Sequence, residues 1–265
     1  MLSARESRML VPMQKTIRYS SDSILHELFE FSQTEAGQGL LQFQSLAGGR
    51  QYTHLYELTQ KYVPSGSRVL DWGAGNGHFS YYLIRMGYNV TAFTLEDSRP
   101  WPFLPTGAFQ FVRGDSKNPV TLPFQNDTFD AVFSVGVLEH VRETGGDESA
   151  SLKEIHRVLR PGGYFICYHF PNQFSWIDFV VRLFPNRHYH PFRYSAESIR
   201  ALTENAGLKL VECRRYGLLP RNEWRRLPGN LRASFLIADL VDIADACLTT
   251  VARPFCQNYY FIAKK

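Results

Sequence analysis

The stretch Val69-Leu70-Asp71-Trp72-Gly73-Ala74-Gly75-Asn76-Gly77 constrains this chain more than any other. A short apolar run ends in an aspartate, glycines follow at alternate positions, and Phe79 to Met86 then reads as a helix. A strand, a glycine turn and a helix in that order form the α/β unit that receives a ligand at the strand's carboxyl end. Glycine permits φ > 0 and lets a ligand approach the backbone. A dinucleotide fingerprint reads G-x-G-x-x-G and seats a pyrophosphate on the helix N-terminus. Here the spacing is G-x-G-x-G, and His78 takes the place of the third glycine of that pattern. Asp71 stands directly before the turn, where a carboxylate repels a pyrophosphate and suits a ligand with an ammonium group.

S-adenosyl-L-methionine carries an ammonium, a sulfonium and no phosphate. Val69–Gly77 resembles motif I of the class I S-adenosylmethionine-dependent methyltransferases, which implies that Asp71, Gly73, Ala74 and Gly75 surround that cofactor. The second strand is expected over Asn89–Thr94. The family usually ends it in an acidic residue that binds both ribose hydroxyls, and this chain departs with Thr94 there, followed by Leu95, Glu96 and Asp97. That run looks more like the cyclopropane-fatty-acid-synthase branch; it makes Thr94, Leu95 and Glu96 candidate cofactor contacts. Phe109–Arg113 is expected as the third strand, ending in Gly114-Asp115-Ser116. The resemblance implies that Asp115, with Ser116 beside it, accepts from the adenine amino group; an Asx-turn is the structural alternative.

Leu122-Pro123-Phe124, Asp127 and Phe129-Asp130-Ala131-Val132 continue the match, with the fourth strand over Phe129–Val135. In relatives the backbone near Val135 lies beside the cofactor and the turn after it faces the substrate, which puts Glu139 and His140 where chemistry occurs. A helix over Ser151–Leu159, the Arg160-Pro161-Gly162-Gly163 turn and a fifth strand over Tyr164–His169 complete the resemblance, which runs from Arg68 to about His169 and is closest to the small-molecule, type 11 branch. It implies an α/β fold: a Rossmann-like doubly wound sheet, mostly parallel, with an antiparallel last strand at Asn258–Ala263.

At 265 residues, the chain is read as a flexible tail over 1–20 and a single methyltransferase domain over 21–265. Within that domain, 21–63 forms a helical cap and 170–193 a lid-like insertion. Ile24, Leu25, Leu28 and Phe29 recur at helical spacing over Ser21–Phe31, with Asp22 or Ser23 as cap. Tyr52–Tyr62 is a second cap helix. Ser98–Pro105 is too rich in proline for a long helix. After the fifth strand, Phe174 to Phe184 reads as a bulky apolar helix broken by Pro185: a lid, a core helix, or an interfacial helix touching lipid. Ser195 caps the next helix with Ser198 at its third position, where a capping box prefers Glu or Gln. Leu208–Tyr216 is the sixth strand, and Phe235–Val251 is a helix whose Asp239, Asp242 and Asp245 exclude a membrane span.

A net charge of +4 gives no nucleic-acid footprint. The four cysteines lack paired spacing, no signal peptide is apparent, and a reducing, cytoplasmic setting is expected. No metal-ligand spacing appears, the alternating pair His188 and His190 being weak evidence, so no residue is assigned to a metal. Arg214, Arg215, Arg221, Arg225, Arg226 and Arg232 gather around Trp224, either as a solvated face or as a dock for an acidic acceptor.

Methyl transfer from a sulfonium is an in-line displacement, and an oxygen nucleophile benefits from a nearby base. Among His140, His169, His188 and His190, His169 and His140 rank first, with Glu139 beside them. The expected function is S-adenosylmethionine-dependent methyl transfer to a small-molecule or lipid- or sugar-linked acceptor, through oxygen. The alternatives are carbon methylation of a lipid in the manner of cyclopropane-fatty-acid synthases, and a non-catalytic cofactor-binding scaffold.

Overall fold

The computed structural model describes residues 19–95, 104, 109–184 and 189–265. Of the expected tail only Tyr19 and Ser20 fall within them. Glu96 and Asp97, all of Ser98–Pro105 except Leu104, and the stretch 185–188 with Arg187 and His188 lie outside.

Three helices, α1 (Ser21–Ser32), α2 (Leu46–Gly49) and α3 (Thr53–Tyr62), precede β1 (Arg68–Trp72). Then come α4 (His78–Arg85), β2 (Asn89–Thr94), β3 (Phe109–Arg113), β4 (Phe129–Val135), α5 (Glu148–Val158) and β5 (Leu159–Pro171). α6 (Trp176–Val181), α7 (Ala196–Asn205), β6 (Lys209–Tyr216), α8 (Gly229–Arg232), α9 (Phe235–Val251) and β7 (Asn258–Lys264) complete the order. The seven strands form one sheet in the order β3-β2-β1-β4-β5-β7-β6. β1 to β5 are parallel neighbours, and β7 runs antiparallel between β5 and β6. This is the doubly wound sheet expected from the sequence, with its antiparallel last strand paired to both β5 and β6.

Alternation along the strands builds two cores. Val69, Val90, Ala131, Phe133 and Ile166 face α1, α3 and α4, while Leu70, Trp72, Phe93, Val132 and Phe165 face α5 and α7. A sheet covered on both faces needs apolar residues at nearly every position, which these strands supply. Each fully buried Phe or Leu stabilises the fold by about 1.5–3 kcal/mol before packing is counted.

Several boundaries differ from the sequence reading. Ser20, not Asp22 or Ser23, caps α1: its hydroxyl accepts from the Ser23 amide, and Ser23 returns a bond to Ser20. Ser195 and Ser198 form the same reciprocal box on α7, so serine suffices where Glu or Gln was expected. α5 starts earlier than expected, at Glu148 under an Asp147 cap. Arg160–Gly163 is drawn into β5 because Leu159 pairs with Phe129 and the chain bulges before Tyr164 meets Ala131. The apolar run after β5 is helical only over Trp176–Val181. The cap is fastened to the sheet layer by Glu27, which accepts from Tyr81 at 2.5 Å and Arg85 at 2.6 Å on α4. It is joined to α9 by Arg50, which contacts Asp239 at 2.5 Å and Asp242 at 3.2 Å. No helix among the described residues is long and apolar enough to cross a membrane.

Candidate active site

Strand order reverses between β1 and β4, and ligands of such sheets bind outside the carboxyl ends at that reversal. A cavity of about 410 Å³ opens there. Its floor is Gly73, Ala74, Gly75 and Asn76 after β1, with Val135 and Gly136 ending β4. Gln42, Gln51 and Tyr52 of the cap, together with His78, Glu139, His140, His169 and His190, make its walls. A larger cavity of about 960 Å³ adjoins it and shares Gln51, His169, Asn222, Gln257 and Asn258.

The turn requires its glycines. Gly73 has φ +76°, and a Cβ there would stand 2.4 Å from Val137 Cγ2. Its amides are largely committed within the chain. Gly73 N and Ala74 N both donate to Phe93 O, at 2.9 and 3.0 Å, and Gly77 N donates to Ala74 O at 2.8 Å. A phosphate cradle needs such N–H groups aimed at the ligand, so this turn suits a ligand without phosphates.

Asp71, the carboxylate before the turn, is buried. It is absent from the cavity lining and lies beneath the turn, where its carboxylate accepts from Ser80 Oγ at 2.6 Å. Burial raises its pKa from 3.8 to about 6, against the hydrogen bonds from Ser80, which lower it. Its structural effect is to pin the first turns of α4 to the end of β1, which fixes the glycine turn between them.

Gly73, Ala74, Gly75 and Val135 line the cavity. Thr94, Leu95, Asp115 and Ser116 do not line it, and stand at the carboxyl ends of the neighbouring strands β2 and β3. Asp115 is exposed and forms the Asx-turn held as its structural alternative, Oδ1 accepting from Lys117 N at 2.9 Å. Glu96 lies outside the described residues.

The structure brings the three expected catalytic candidates into one cavity. His169 has φ +67°, an uncommon conformation for a residue with a side chain. Its backbone N–H donates to the Tyr216 hydroxyl at 2.9 Å, and the same hydroxyl lies 2.9 Å from Nδ1. Tyr216 also shares a hydrogen bond with Tyr168, whose hydroxyl donates to Gln51 O at 2.9 Å. One consistent assignment makes every link a donor in turn: Nδ1–H to Tyr216, Tyr216 to Tyr168, Tyr168 to Gln51 O. Nε2, buried and without a hydrogen-bond partner, then keeps its lone pair. Burial depresses the His169 pKa from 6.5 to about 3, with His190 adding to the effect, so the ring is neutral at physiological pH.

Glu139 is buried, with Oε2 unpartnered, and burial raises its pKa from 4.5 to about 8. His140 Nδ1 lies 2.9 Å from Glu143. His190, 50 residues further along the chain, brings its ring to within 5.8 Å of the His140 ring. Sequence spacing had no means of joining these two; Glu139, His140 and His190 each bring one nitrogen or carboxylate oxygen to within 4.8 Å of the others. His78, Tyr52, Gln42 and Asn222 were also missed; only His78, at the displaced glycine position, carried a signal. The basic run is partly neutralised by the chain itself. Arg221 pairs with Asp242 and Asp245, Arg214 with Glu212, and Arg226 with Glu223.

The fold is shared with known enzymes. The structure resembles the Burkholderia thailandensis 1,6-didemethyltoxoflavin-N1-methyltransferase, solved with S-adenosylhomocysteine, at a TM-score of 0.54 and 18% identity, over 92% of this chain and 88% of that one. It is the Rossmann-like fold of the class I methyltransferases. In sequence, a methyltransferase-domain family model matches residues 70–167. Demethylmenaquinone methyltransferase of Streptomyces avermitilis is 30% identical over 186 residues, 63% of this chain and 74% of that protein. The chain belongs to the S-adenosylmethionine-dependent methyltransferase family, in its type 11 branch. A phthiotriol/phenolphthiotriol dimycocerosates methyltransferase of Mycobacterium ulcerans is 33% identical over 123 residues, but the match spans only 43% of its length. The family's methyl donor, S-adenosylmethionine, carries no phosphate and suits a glycine turn in which the Gly73, Ala74 and Gly77 amides are committed within the chain.

Proposed function

We propose that this protein transfers a methyl group from S-adenosylmethionine to a hydroxyl oxygen of an amphiphilic small-molecule acceptor, and that His169 receives the acceptor's proton. One observation carries the assignment of the base: His169 lines both cavities, and its Nε2 is buried and unpartnered. The cofactor supplies an electrophilic methyl group on a sulfonium. Gly73, Ala74 and Gly75 hold it at the end of β1, and Val135 and Gly136 bound its other side. The Tyr216 hydroxyl fixes the His169 ring. A base this weak serves a proton that becomes acidic as the oxygen–carbon bond forms.

The larger cavity supports the choice of acceptor. α6 contributes Ile177 and Val181 to its wall, and α9 contributes Asp242, Asp245, Ala246 and Thr249. Those two helices expose Phe179, Leu236, Leu240, Ile243 and Val251, and Leu183 just after α6 is exposed as well. Apolar surface of this extent marks contact with an apolar phase or partner. Relatives named for demethylmenaquinone and for phthiotriol dimycocerosates agree with such an acceptor. Carbon methylation of a lipid remains the second reading, favoured by the buried carboxyl of Glu139 in the cavity.

The test is His169→Ala, assayed with phenolic and lipid-linked acceptors while S-adenosylhomocysteine affinity is followed by calorimetry. Turnover should fall by about 100-fold or more, the usual worth of a positioned base, with affinity for the product nearly unchanged. Equal turnover in variant and parent removes His169 from the chemistry. Cofactor binding with no methylation of any acceptor points instead to a scaffold.

A further inference from the structure

Glu139 and His140 follow β4, and His190 precedes α7; their side chains meet at the wall of the smaller cavity. One ligating atom from each lies within 4.8 Å of the others. Around an ion bound at about 2.1 Å, neighbouring ligand atoms stand roughly 3.4 Å apart, so closure asks each side chain for about 1 Å.

The surroundings are those of a ligand set. His140 Nδ1 is 2.9 Å from Glu143 Oε1, and His190 Nδ1 is 3.4 Å from Asp178 Oδ1. A carboxylate against Nδ1 fixes the orientation of the ring, as around metal-bound histidines. Glu139 adds a carboxylate whose Oε2 is buried and without a partner. A buried oxygen left unsatisfied is costly, and a cation relieves it.

We propose that Glu139, His140 and His190 bind one divalent transition-metal ion of the zinc type at the wall of the methyl-transfer pocket. Two imidazoles and one carboxylate suit a borderline ion better than calcium or magnesium, which take oxygen ligands. Three protein ligands leave a position toward the cavity for water or an acceptor hydroxyl. On that ion the hydroxyl's O–H bond breaks, its electron pair stays on the metal-bound oxygen, and the proton passes to His169 Nε2. This last step rests on the methyl-transfer reading; the metal site itself does not.

The experiment is a Co²⁺ titration of the chelator-treated full-length protein, read by visible d–d absorption and by calorimetry. One Co²⁺ per chain is expected, with the intense bands of four- or five-coordinate cobalt. His190→Ala and Glu139→Gln should each weaken binding at least tenfold, and Asp178→Asn by about tenfold through the lost outer-shell contact. His54→Ala, a surface histidine paired with Glu57, should change nothing. The near-isosteric Glu139→Gln keeps the test decisive if His190→Ala melts early. The spectrum of free aqueous cobalt throughout, or undiminished affinity in both ligand variants, overturns the site. The readout needs no turnover: cobalt binding without methylation leaves the metal site standing and removes the proposed reaction, and the reverse outcome removes only the metal.

Discussion

Asp71→Asn isolates the cost of a carboxylate beneath the cofactor turn. Burial lifts the Asp71 pKa from 3.8 to about 6 in the folded protein. The folded state therefore holds a proton more tightly than the unfolded chain. The stability tied to that proton is fully present below pH 3.8 and is lost as pH rises through 6. A shift of about two units corresponds to roughly 3 kcal/mol at about 1.4 kcal/mol per unit, an upper bound on the effect. Asparagine accepts the Ser80 hydrogen bond and carries no charge, so it escapes the penalty. Urea unfolding of parent and variant from pH 4 to pH 7, each without cofactor, gives the difference directly. Subtracting the two curves cancels the other titrating groups, Glu139 and Glu212 among them. The variant should gain stability relative to the parent by about 1–3 kcal/mol over that range. A difference that stays flat, or that favours the parent at pH 7, refutes the burial argument.

Three further outcomes follow from the site. Gly73→Ala, whose Cβ meets Val137 Cγ2 at 2.4 Å in a backbone with φ +76°, should weaken S-adenosylhomocysteine binding tenfold or more by calorimetry. Val137→Ala should restore part of that loss. Tyr216→Phe removes the hydroxyl that holds the His169 ring; it should lower kcat more than KM and cost about 1–3 kcal/mol of stability in urea. The triple variant Leu236→Ser, Leu240→Ser, Ile243→Ser should reduce co-sedimentation with anionic lipid vesicles several-fold; unchanged co-sedimentation, or a parent that is instead a dimer on gel filtration, counts against an amphiphilic acceptor reached through that face.

The strands were legible because period-two patterning and glycine punctuation are local properties. β2, β3 and β4 have the bounds read from the sequence, and β1 runs one residue past Asp71, to Trp72. Boundaries slipped where a partner decides them. Leu159 joins β5 rather than α5 because Phe129 pairs with it, and no pattern within residues 151–163 reveals that. Ser20 outcompetes Asp22 as a cap because Ser23 can return the hydrogen bond. The site divides the same way. The glycine turn and the Glu139–His140 pair announce themselves in sequence, whereas the approach of His190 and the hold of Tyr216 on His169 come from strand order. The hydrogen bond of Asp71 to Ser80, nine positions away on α4, was not legible, because it depends on how that helix packs after the turn.

β7 lies between β5 and β6, yet it is the last of the strands to be synthesised. Until residues 258–264 emerge, β6 has no neighbour, and Tyr216 at its end cannot be brought against His169. The glycine turn and the first five strands precede β7 in the chain, whereas the Tyr216 hydroxyl meets His169 only once the seventh strand has joined β6 to the sheet. The hold on the His169 ring is thus the part of the cavity wall that depends on the most distant stretch of sequence.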